Sequence, residues 1–226
     1  METLVVEAKE IANLAAQRIA EALKAAITAN GAASLALAGG TTPRAAYEAL
    51  ARIPGIDWSK VSVYFGDERA VPPTHPDSNF FMAQAALFDR VPLPAANIHR
   101  ILAEDPDQDA AARAYEALLP ARISVMVLGI GEDGHTASLF PGSPALNERT
   151  RRVLPVIGPK PPPQRLSITP PVIESAEFCI VIANGAGKAE PVRRALKDPL
   201  DIQTTPSGLA RHGLWLLDHA AAALLD

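Results

Sequence analysis

The stretch ISVMVLGIGEDGHTAS (residues 123–138) decides how this chain is interpreted. Its apolar first part, residues 123–128, predicts a buried parallel strand. The loop that follows matches G-x-G-x-x-G from Gly129 to Gly134 and places His135 directly after the last glycine. Such a loop holds either a dinucleotide or a catalytic histidine, and the choice between them determines the class of protein.

The residues beyond this loop argue against a nucleotide. A dinucleotide fingerprint needs a full helix after its third glycine and an acidic residue about 20 positions further on. Pro141 and Gly142 stop any helix within about two turns, and residues 150–154 read TRRVL, without an acid. The loop is therefore interpreted as presenting Asp133 and His135. His135 is suited to proton transfer, because histidine is the side chain that titrates nearest neutral pH. A loop histidine without a role is the alternative.

The composition is typical of a soluble globular protein with a real core. The chain has 226 residues, 48% of them hydrophobic and 20% charged. A net charge of -4 argues against nucleic-acid binding, which needs a concentrated basic face, but it leaves room for a small anion. The sequence lacks a membrane span and a secretory h-region. The single cysteine, Cys179, lies in an apolar run and is expected in the core, so we expect a cytoplasmic protein.

Apolar patterns predict alternating strands and helices, and hence an α/β fold with a mainly parallel sheet covered on both faces. Residues 1–226 are expected to form one domain, because no linker or internal repeat interrupts them. We expect strands at 34–38, 61–65, 97–101, 123–128, 153–157, 165–169, 177–184 and 213–218. We expect helices over about 4–29, from Pro43 after an N-cap at Thr42, from a cap at Asp77 or Ser78 through Leu87, and over 107–118, 187–196 and 219–225.

Ligands of such sheets bind beyond the carboxyl ends of the strands, so the loops there are the candidate sites. In GGTTPR (39–44), backbone N–H groups and threonine hydroxyls suit a phosphate, although an ordinary helix start fits equally well. In GDERAV (66–71), Arg69 suits a phosphate and Asp67 a sugar hydroxyl, with a solvated loop as the alternative.

A further loop, NGAGK (184–188), places Lys188 at the start of a helix. A cation is unfavourable at the positive end of the helix dipole, so a bound anion would explain it; an exposed lysine is the alternative. Metal sites and serine hydrolysis are not indicated, because the chain lacks C-x-x-C, H-E-x-x-H and G-x-S-x-G.

These loops, taken in order, resemble the 6-phosphogluconolactonase family. The matching segments are LALAGGTTPRAAYEAL, VYFGDERAVPPTHPDSNF, VMVLGIGEDGHTASLFPGSPAL, RLSITPPVI and IANGAGKAE, which span nearly the whole chain. GEDGHTASLFPGS is the most specific of them. The resemblance implies a Rossmann-like three-layer fold, similar to that of glucosamine-6-phosphate deaminases and ribose-5-phosphate isomerases.

Glucosamine-6-phosphate deaminases are the main alternative, because they share the phosphate loop and G-x-G-x-D-G-H. They typically continue with I-A-F-N-E-P, whose glutamate works with the histidine in ring opening, whereas this chain has Phe140 at that position. They also tend to read D-E-Y where this chain has Asp67-Glu68-Arg69. Both differences favour a lactonase. A non-catalytic sugar-phosphate sensor is a second alternative, but no helix-turn-helix or basic arm accompanies the domain.

The resemblance also implies a role for individual residues. His135 would be the general base beside Asp133, hydrolysing 6-phospho-D-glucono-1,5-lactone to 6-phospho-D-gluconate in the oxidative pentose phosphate pathway. No cofactor or metal is expected, and the small-molecule lactone is the expected partner of a monomer or weak homo-oligomer. The implied substrate contacts are Gly39, Gly40, Thr41 and Thr42 for phosphate, Arg69, Arg165 and Lys188 for positive charge, and Asp67, Asn79 and Asp133 for the sugar.

Overall fold

The computed structural model describes residues 2–225, and within them six parallel strands form the main sheet. Every residue of two of these strands, Ala33–Leu37 and Leu214–Asp218, is buried, so both faces of the sheet are covered. The mainly parallel α/β architecture predicted from the sequence is confirmed. Numbered in chain order, the strands lie side by side as β1 (Glu2–Val6), β9 (Leu214–Asp218), β8 (Phe178–Ala183), β5 (Val125–Gly129), β2 (Ala33–Leu37) and β3 (Val61–Phe65).

The helices flank this sheet. The first, α1 (Ile11–Asn30), packs on α2 (Thr41–Leu50) and buries residues spaced three to four apart, among them Ile11, Ile19 and Leu23. It ends where Gly31, at φ +78°, donates its N–H to the carbonyl of Ile27. The helices are α1 (Ile11–Asn30), α2 (Thr41–Leu50), α3 (Asn79–Ala86), α4 (Gln108–Leu118), α5 (Pro170–Glu174) and α6 (Ala189–Leu196).

A second, antiparallel sheet extends from the end of β3. It consists of β4 (Asp67–Arg69), β7 (Gln164–Ile168) and β6 (Val153–Ile157), in that order. Gly66 joins the two sheets, because its N–H donates to the carbonyl of Leu37 and its own carbonyl accepts from the N–H of Ile168, both at 2.9 Å. The strands near 153–157 and 165–169 were predicted, but their membership of a separate sheet was not.

The strand order reverses between β2 and β5. From β2 the chain continues to β3 on one side, whereas β5, β8 and β9 follow on the other. The pairing of β2 with β5 is short, with Leu35 opposite Val125 and Ala36 opposite Met126. A crevice beyond the carboxyl ends of the strands at such a point is the usual ligand site of an open α/β sheet.

Two buried tyrosines fix the chain where β2 and β3 end. The hydroxyl of Tyr47, on α2, donates to the carbonyl of Ala38 at 3.0 Å and accepts from its N–H at 2.8 Å. The hydroxyl of Tyr115, on α4, makes the same pair of bonds to Phe65, at 3.0 and 2.7 Å. The loops GGTTPR and GDERAV therefore leave the sheet from anchored positions.

At the edges of the sheet, one predicted helix begins later than expected and two other predicted elements are wrong. Residues 2–6 form β1, paired with β9, and the first helix begins at Ile11 instead of Leu4. Residues 97–101 are not a strand, because Ile98 makes only an isolated bridge to Val63. Residues 219–224 form turns instead of a helix; the Asp218 carboxylate and carbonyl accept from the N–H groups of Ala221 and Ala222, but no helix follows from this start.

The predicted helix starts have mixed outcomes. Ser78 caps α3 as expected, with its hydroxyl accepting from the N–H of Phe81 at 3.2 Å. Thr42 does not cap α2, because the helix already begins at Thr41, after Gly40 at φ +107° and without a side-chain cap. The helix predicted from 187 begins at Ala189, after a 3-10 turn over Ala186–Lys188.

Candidate active site

A cleft of about 280 Å³ lies at the crevice between β2 and β5. All four predicted loops contribute to its walls, although they are far apart in the sequence. Of the residues that the sequence indicated, seven line the cleft: Gly39, Gly40, Asp67, Arg69, His135, Arg165 and Lys188.

The glycine loop after β5 holds a histidine–carboxylate pair. The Nδ1 atom of His135 lies 2.5 Å from Oδ1 of Asp133, and the same oxygen accepts from the backbone N–H of His135 at 3.2 Å. Asp133 is not among the residues that line the cleft, and its side-chain contact is with His135. With Nδ1 engaged, Nε2 is the ring nitrogen left for proton transfer.

The environment keeps Asp133 ionised. Burial raises the pKa of this carboxyl, but the charge of protonated His135 and its two hydrogen bonds outweigh burial, so the net pKa lies below the ordinary value. An ionised carboxylate accepts a hydrogen bond from Nδ1–H. Its negative charge also stabilises the imidazolium that forms when Nε2 takes a proton. The pair is therefore arranged as a base and the group that orients it.

Gly131 makes room for this pair. A Cβ atom at Gly131 would overlap both Nδ1 of His135 and Oδ1 of Asp133. The N–H of Gly131 also donates to the carbonyl of His135 at 2.8 Å, which closes the loop on itself. The second glycine of the motif thus serves the histidine and not a pyrophosphate.

Two residues that sequence reasoning missed hold the loop by donating hydrogen bonds to its backbone carbonyls. Arg194, on α6, donates from Nη2 to the carbonyl of Asp133 at 3.3 Å. The N–H of Ser207 donates to the carbonyl of Gly134 at 3.0 Å, and Gly134 takes φ +94°. Both supports come from more than 60 residues away in sequence, so no local pattern indicates them.

Phe140 packs against His135 where a deaminase would carry its glutamate. The two ring centroids are 4.6 Å apart, and the phenyl ring is 4% exposed. The Arg165 guanidinium carbon lies over the same ring, 5.6 Å from its centroid. The neighbour of the histidine at this position is therefore an apolar ring and not a second acid.

Asp67 connects the second sheet to the histidine loop. Its Oδ2 atom accepts from the hydroxyl of Ser138 at 2.5 Å and lies 3.9 Å from Nη1 of Arg165. The N–H of Ser138 donates to Ser167, which stands opposite Asp67 in the β4–β7 pair. Ser138 follows Ala137, a non-glycine residue at φ +47°. These bonds hold that unfavourable backbone conformation in place beside the cleft.

Asn79 supports the phosphate loop and does not line the main cleft. It is 2% exposed, and its Nδ2 donates to the carbonyl and Oδ1 of Asp67 at 2.8 and 3.1 Å. A Cβ at Gly39 would overlap its amide, which explains the glycine. Asn79 and Thr41 line a neighbouring cleft of about 410 Å³, and Thr42 lines neither cleft. The structure thus does not bring all predicted phosphate and sugar contacts together.

A buried carboxylate that the sequence did not single out holds the GDERAV loop. Glu68 is 3% exposed and accepts from the N–H groups of Arg69, Asn79 and Phe80, each at 2.8 Å, and from the Ser78 hydroxyl at 3.0 Å. Burial raises the pKa of Glu68, and these hydrogen bonds act against that shift. Arg69, next in the chain, is fixed further by donation from Nη1 to the Asp77 carbonyl at 2.5 Å.

The cleft contains a second lysine in addition to Lys188. Burial is the main cause that lowers the pKa of Lys188; the charge of Lys160 lowers it further, whereas Glu132 and Asp133 act to raise it. Lys160 belongs to the proline-rich loop between β6 and β7 and lines the same cleft. The prolines around it carried no signal of a site in the sequence.

Within residues 2–225, no group of three or more His, Cys, Asp or Glu side chains is arranged to hold a metal ion. In the same residues, no helix is both long enough and apolar enough to cross a membrane.

The fold and cleft define a parallel α/β protein with a histidine–carboxylate pair and several cations at its switch point. Residues 6–215 match the family model described as glucosamine-6-phosphate isomerases/6-phosphogluconolactonase. The chain belongs to this family.

Individual relatives give a finer comparison. The chain is 39% identical over 228 residues to 6-phosphogluconolactonase of Mycobacterium tuberculosis, covering 93% of this chain and 92% of the relative. It is similar to the solved structure of 6-phosphogluconolactonase from Trypanosoma brucei, with a TM-score of 0.87 and 28% identity over 100% of this chain and 98% of that one.

A deaminase shares the same fold. The structure of a monomeric glucosamine-6-phosphate deaminase matches with a TM-score of 0.88 over 99% of this chain and 100% of that one, at 22% sequence identity. At that identity the match shows the fold alone. The residues of the cleft, and not the fold, must therefore separate a lactonase from a deaminase.

Proposed function

We propose that this chain hydrolyses 6-phospho-D-glucono-1,5-lactone to 6-phospho-D-gluconate, the lactonase step of the oxidative pentose phosphate pathway. The observation that carries the proposal is the His135–Asp133 pair in a cleft with four cationic side chains, next to Phe140 instead of a glutamate. The relatives named 6-phosphogluconolactonase, at 39% identity, support the same reaction.

The chemical step needs one base. Nε2 of His135 takes a proton from water while the water oxygen attacks the C1 carbonyl of the lactone. The tetrahedral intermediate then collapses, the bond from C1 to the ring oxygen breaks, and the imidazolium returns its proton to that oxygen. General-base catalysis of this kind contributes about 10²–10⁴-fold in rate. Because the ester is already electrophilic, the reaction calls for neither a covalent nucleophile nor a cofactor.

Asp133 has two roles in this scheme. It holds the imidazole so that Nε2 carries the lone pair, and its negative charge stabilises the imidazolium between the two proton transfers. Its lowered pKa supports the second role, because the carboxyl stays ionised at neutral pH. It makes no direct contact with the lactone in this proposal.

The phosphate lies at the far end of the sugar from C1. We assign it to the backbone of Gly39 and Gly40 at the start of α2, with positive charge from Arg69 and Lys188. Thr41 and Thr42 belong to the same helix start, but Thr41 lines the neighbouring cleft and Thr42 lines neither, so we assign them to the support of this loop. Asp67, bonded to Ser138 and Asn79, shapes the sugar end.

The remaining expectations are part of the same proposal. The chain, residues 1–226, acts as one domain, and the protein works as a monomer or weak homo-oligomer in the cytoplasm. The small-molecule lactone is its partner, with no role for nucleic acid or a membrane.

A turnover assay with two substrates tests the proposal. Freshly made 6-phosphogluconolactone is followed as it disappears, with an enzyme-free blank because the lactone also opens spontaneously. Ammonia release from glucosamine 6-phosphate is measured in parallel. We expect lactone loss well above the blank and no ammonia. Ammonia release would indicate a deaminase, and no turnover of either substrate would indicate a binding module.

A further inference from the structure

Lys160 faces the same cleft as Lys188 and has no acidic partner. Among residues 2–225, no carboxylate lies within ion-pair distance of either ammonium group, and neither Nζ donates a hydrogen bond. Arg69 and Arg165 line the cleft as well, and its acidic lining residues are Asp67 and Glu132. Asp67 is already bonded to Ser138 and Asn79. Positive charge is therefore in excess where the substrate binds.

The loop that carries Lys160 is anchored by a buried guanidinium. Arg165, 6% exposed, donates from Nε to the carbonyl of Pro162 at 3.1 Å and from Nη2 to the carbonyl of Lys160 itself at 3.3 Å. These bonds occupy donors that a substrate phosphate would otherwise use. Arg165 therefore fixes a loop more directly than it contacts a ligand.

The base of the loop is also fixed. The N–H of Gly158 donates to the carbonyl of Pro163 at 2.7 Å, which closes the loop. A Cβ at Gly158 would stand 2.7 Å from the Phe140 ring, so the loop packs tightly on the ring that also contacts His135. Within this loop, Lys160 is the residue that lines the cleft. An anchored loop thus delivers one exposed ammonium group to the substrate.

Two ammonium groups that share a cleft repel each other unless an anion lies between them. Burial is the main cause of the lowered pKa of Lys188; the charge of Lys160 lowers this pKa further, although Glu132 acts more strongly in the opposite direction. A phosphate monoester is close to a dianion at neutral pH and accepts several hydrogen bonds from cations. The doubly charged end of the substrate matches this pair better than the neutral ester end does.

We propose that Lys160 binds the substrate phosphate opposite Lys188, and that Arg165 is a positioning residue that holds the Lys160 loop over the cleft. This inference rests on the proposed function, because it assigns the 6-phosphate to these two lysines. It extends the site to a residue outside the four loops and gives Arg165 a different role from direct phosphate contact.

The test replaces Lys160 by a neutral residue of similar length. Lys160→Gln is compared with Lys160→Arg and with Lys197→Gln, an exposed lysine on the surface, as the matched control. For 6-phosphogluconolactone, we expect Lys160→Gln to raise KM about 10- to 100-fold with kcat within about 2-fold, as for loss of a charge-assisted hydrogen bond. Lys160→Arg recovers part of the loss, and Lys197→Gln changes nothing.

Glucono-1,5-lactone, which lacks the phosphate, serves as the second substrate. We expect Lys160→Gln to leave kcat/KM for it unchanged. An equal fall with both lactones would place Lys160 at the ester, and an unchanged KM for the phosphorylated lactone would remove Lys160 from the site. Either result overturns the proposal.

The role of Arg165 is tested by combining its substitution with Lys160→Gln, because replacing a buried arginine alone also affects folding. If Arg165 acts by holding the lysine, Arg165→Lys raises KM in the wild-type background and has little further effect in the Lys160→Gln background. Equal effects in both backgrounds would contradict the positioning role. Thermal unfolding of each variant separates these results from a loss of folded protein.

The binding of 6-phosphogluconate, measured by calorimetry, keeps this inference separate from the proposed reaction. If the wild-type protein fails to turn over the lactone, the proposed function fails. Weaker phosphate-ester binding by Lys160→Gln than by Lys197→Gln would still support the phosphate site. Equal binding by the two variants would overturn it.

Discussion

The Nδ1 atom of His135 lies 2.5 Å from the Oδ1 atom of Asp133, two residues earlier in the same glycine loop. This short sequence separation is possible because Gly131 and Gly134 allow the loop to fold back on itself. The imidazole is therefore oriented by its own loop, and its position depends on the glycines as much as on the carboxylate.

Gly131→Ala should remove most activity without unfolding the protein. The added methyl would overlap His135 and Asp133 and displace the pair, and a misplacement of about 1 Å costs on the order of 10²-fold in rate. Steady-state kcat of Gly131→Ala and wild type checks this, and thermal unfolding of both separates lost activity from lost fold. Activity of Gly131→Ala equal to wild type would show that the pair need not keep this position.

Asp133→Asn should lower kcat by about 10- to 10³-fold while KM changes little. The amide can present its NH₂ group to Nδ1, which favours the wrong tautomer of His135. Kinetics at pH 7 and 8 measure the effect, and Asp133→Glu is the comparison that keeps the charge. A wild-type kcat for Asp133→Asn would leave the carboxylate without a catalytic role.

The same variant should change the pH dependence of folding. Burial opposes ionisation of Asp133, but attraction to His135 and its hydrogen bonds leave the folded pKa below the ordinary 3.8. The stabilisation by Asp133 is thus present above pH 3.8 and is lost as pH falls through the lower folded pKa. The difference in unfolding free energy between wild type and Asp133→Asn, measured in urea, should shrink below that pH. A difference that grows in acid would contradict the sign of the shift.

Two equally buried serines should respond differently to removal of their hydroxyls. Ser138 donates to the Asp67 carboxylate, whereas the Ser207 hydroxyl has no hydrogen-bond partner among residues 2–225. Ser138→Ala should lower the unfolding free energy by about 1–3 kcal/mol and raise KM, since Asp67 loses its link to the histidine loop. Ser207→Ala should be neutral or stabilising. Chemical denaturation compares them, and equal losses would mean that the link is unimportant.

Binding of 6-phosphogluconate should weaken as pH rises. The weakening should begin at a lower pH than it would if the cation were a lysine with an ordinary pKa. Burial, followed by the charge of Lys160, lowers the pKa of Lys188 below 10.5, so Lys188 loses its charge at a lower pH. In Lys188→Arg the guanidinium stays charged, and binding should persist to higher pH. Calorimetry between pH 7 and 10 tests this. Identical pH profiles would exclude Lys188 as the titrating cation.

Local patterns predicted the elements that bury a complete apolar face. The strands around 34–38, 61–65, 123–128 and 177–184 follow from apolar runs, and Asn30-Gly31 marked the end of the first helix. The pattern failed where pairing partners decide the structure. Residues 2–6 form a strand because they pair with β9. Asp67–Arg69 forms a strand because it pairs with β7. Such partners are distant in sequence.

The residues of the candidate site also fall into those that local patterns indicated and those that they did not. His135, Asp133, Arg69 and Lys188 were indicated because each lies in a loop that follows a strand. Lys160, Arg194 and Ser207 were not, because they reach the site from a proline-rich loop or support it from behind. Asn79 and Arg165 were assigned to the ligand, yet their hydrogen bonds go to Asp67 and to loop carbonyls. The sequence resemblance indicated that these two residues belong to the site. It could not tell whether they contact the ligand or hold the loops that form the cleft.

The most direct measurement compares kcat of wild type and His135→Asn with fresh 6-phosphogluconolactone at pH 7, after subtraction of the spontaneous rate. Asparagine is polar and of similar size but cannot accept a proton at this pH, so the fold should persist, as checked by thermal unfolding. We expect kcat to fall by about 10²–10⁴-fold with KM nearly unchanged. Turnover by His135→Asn within a few-fold of wild type would contradict the assignment of His135 as the catalytic base.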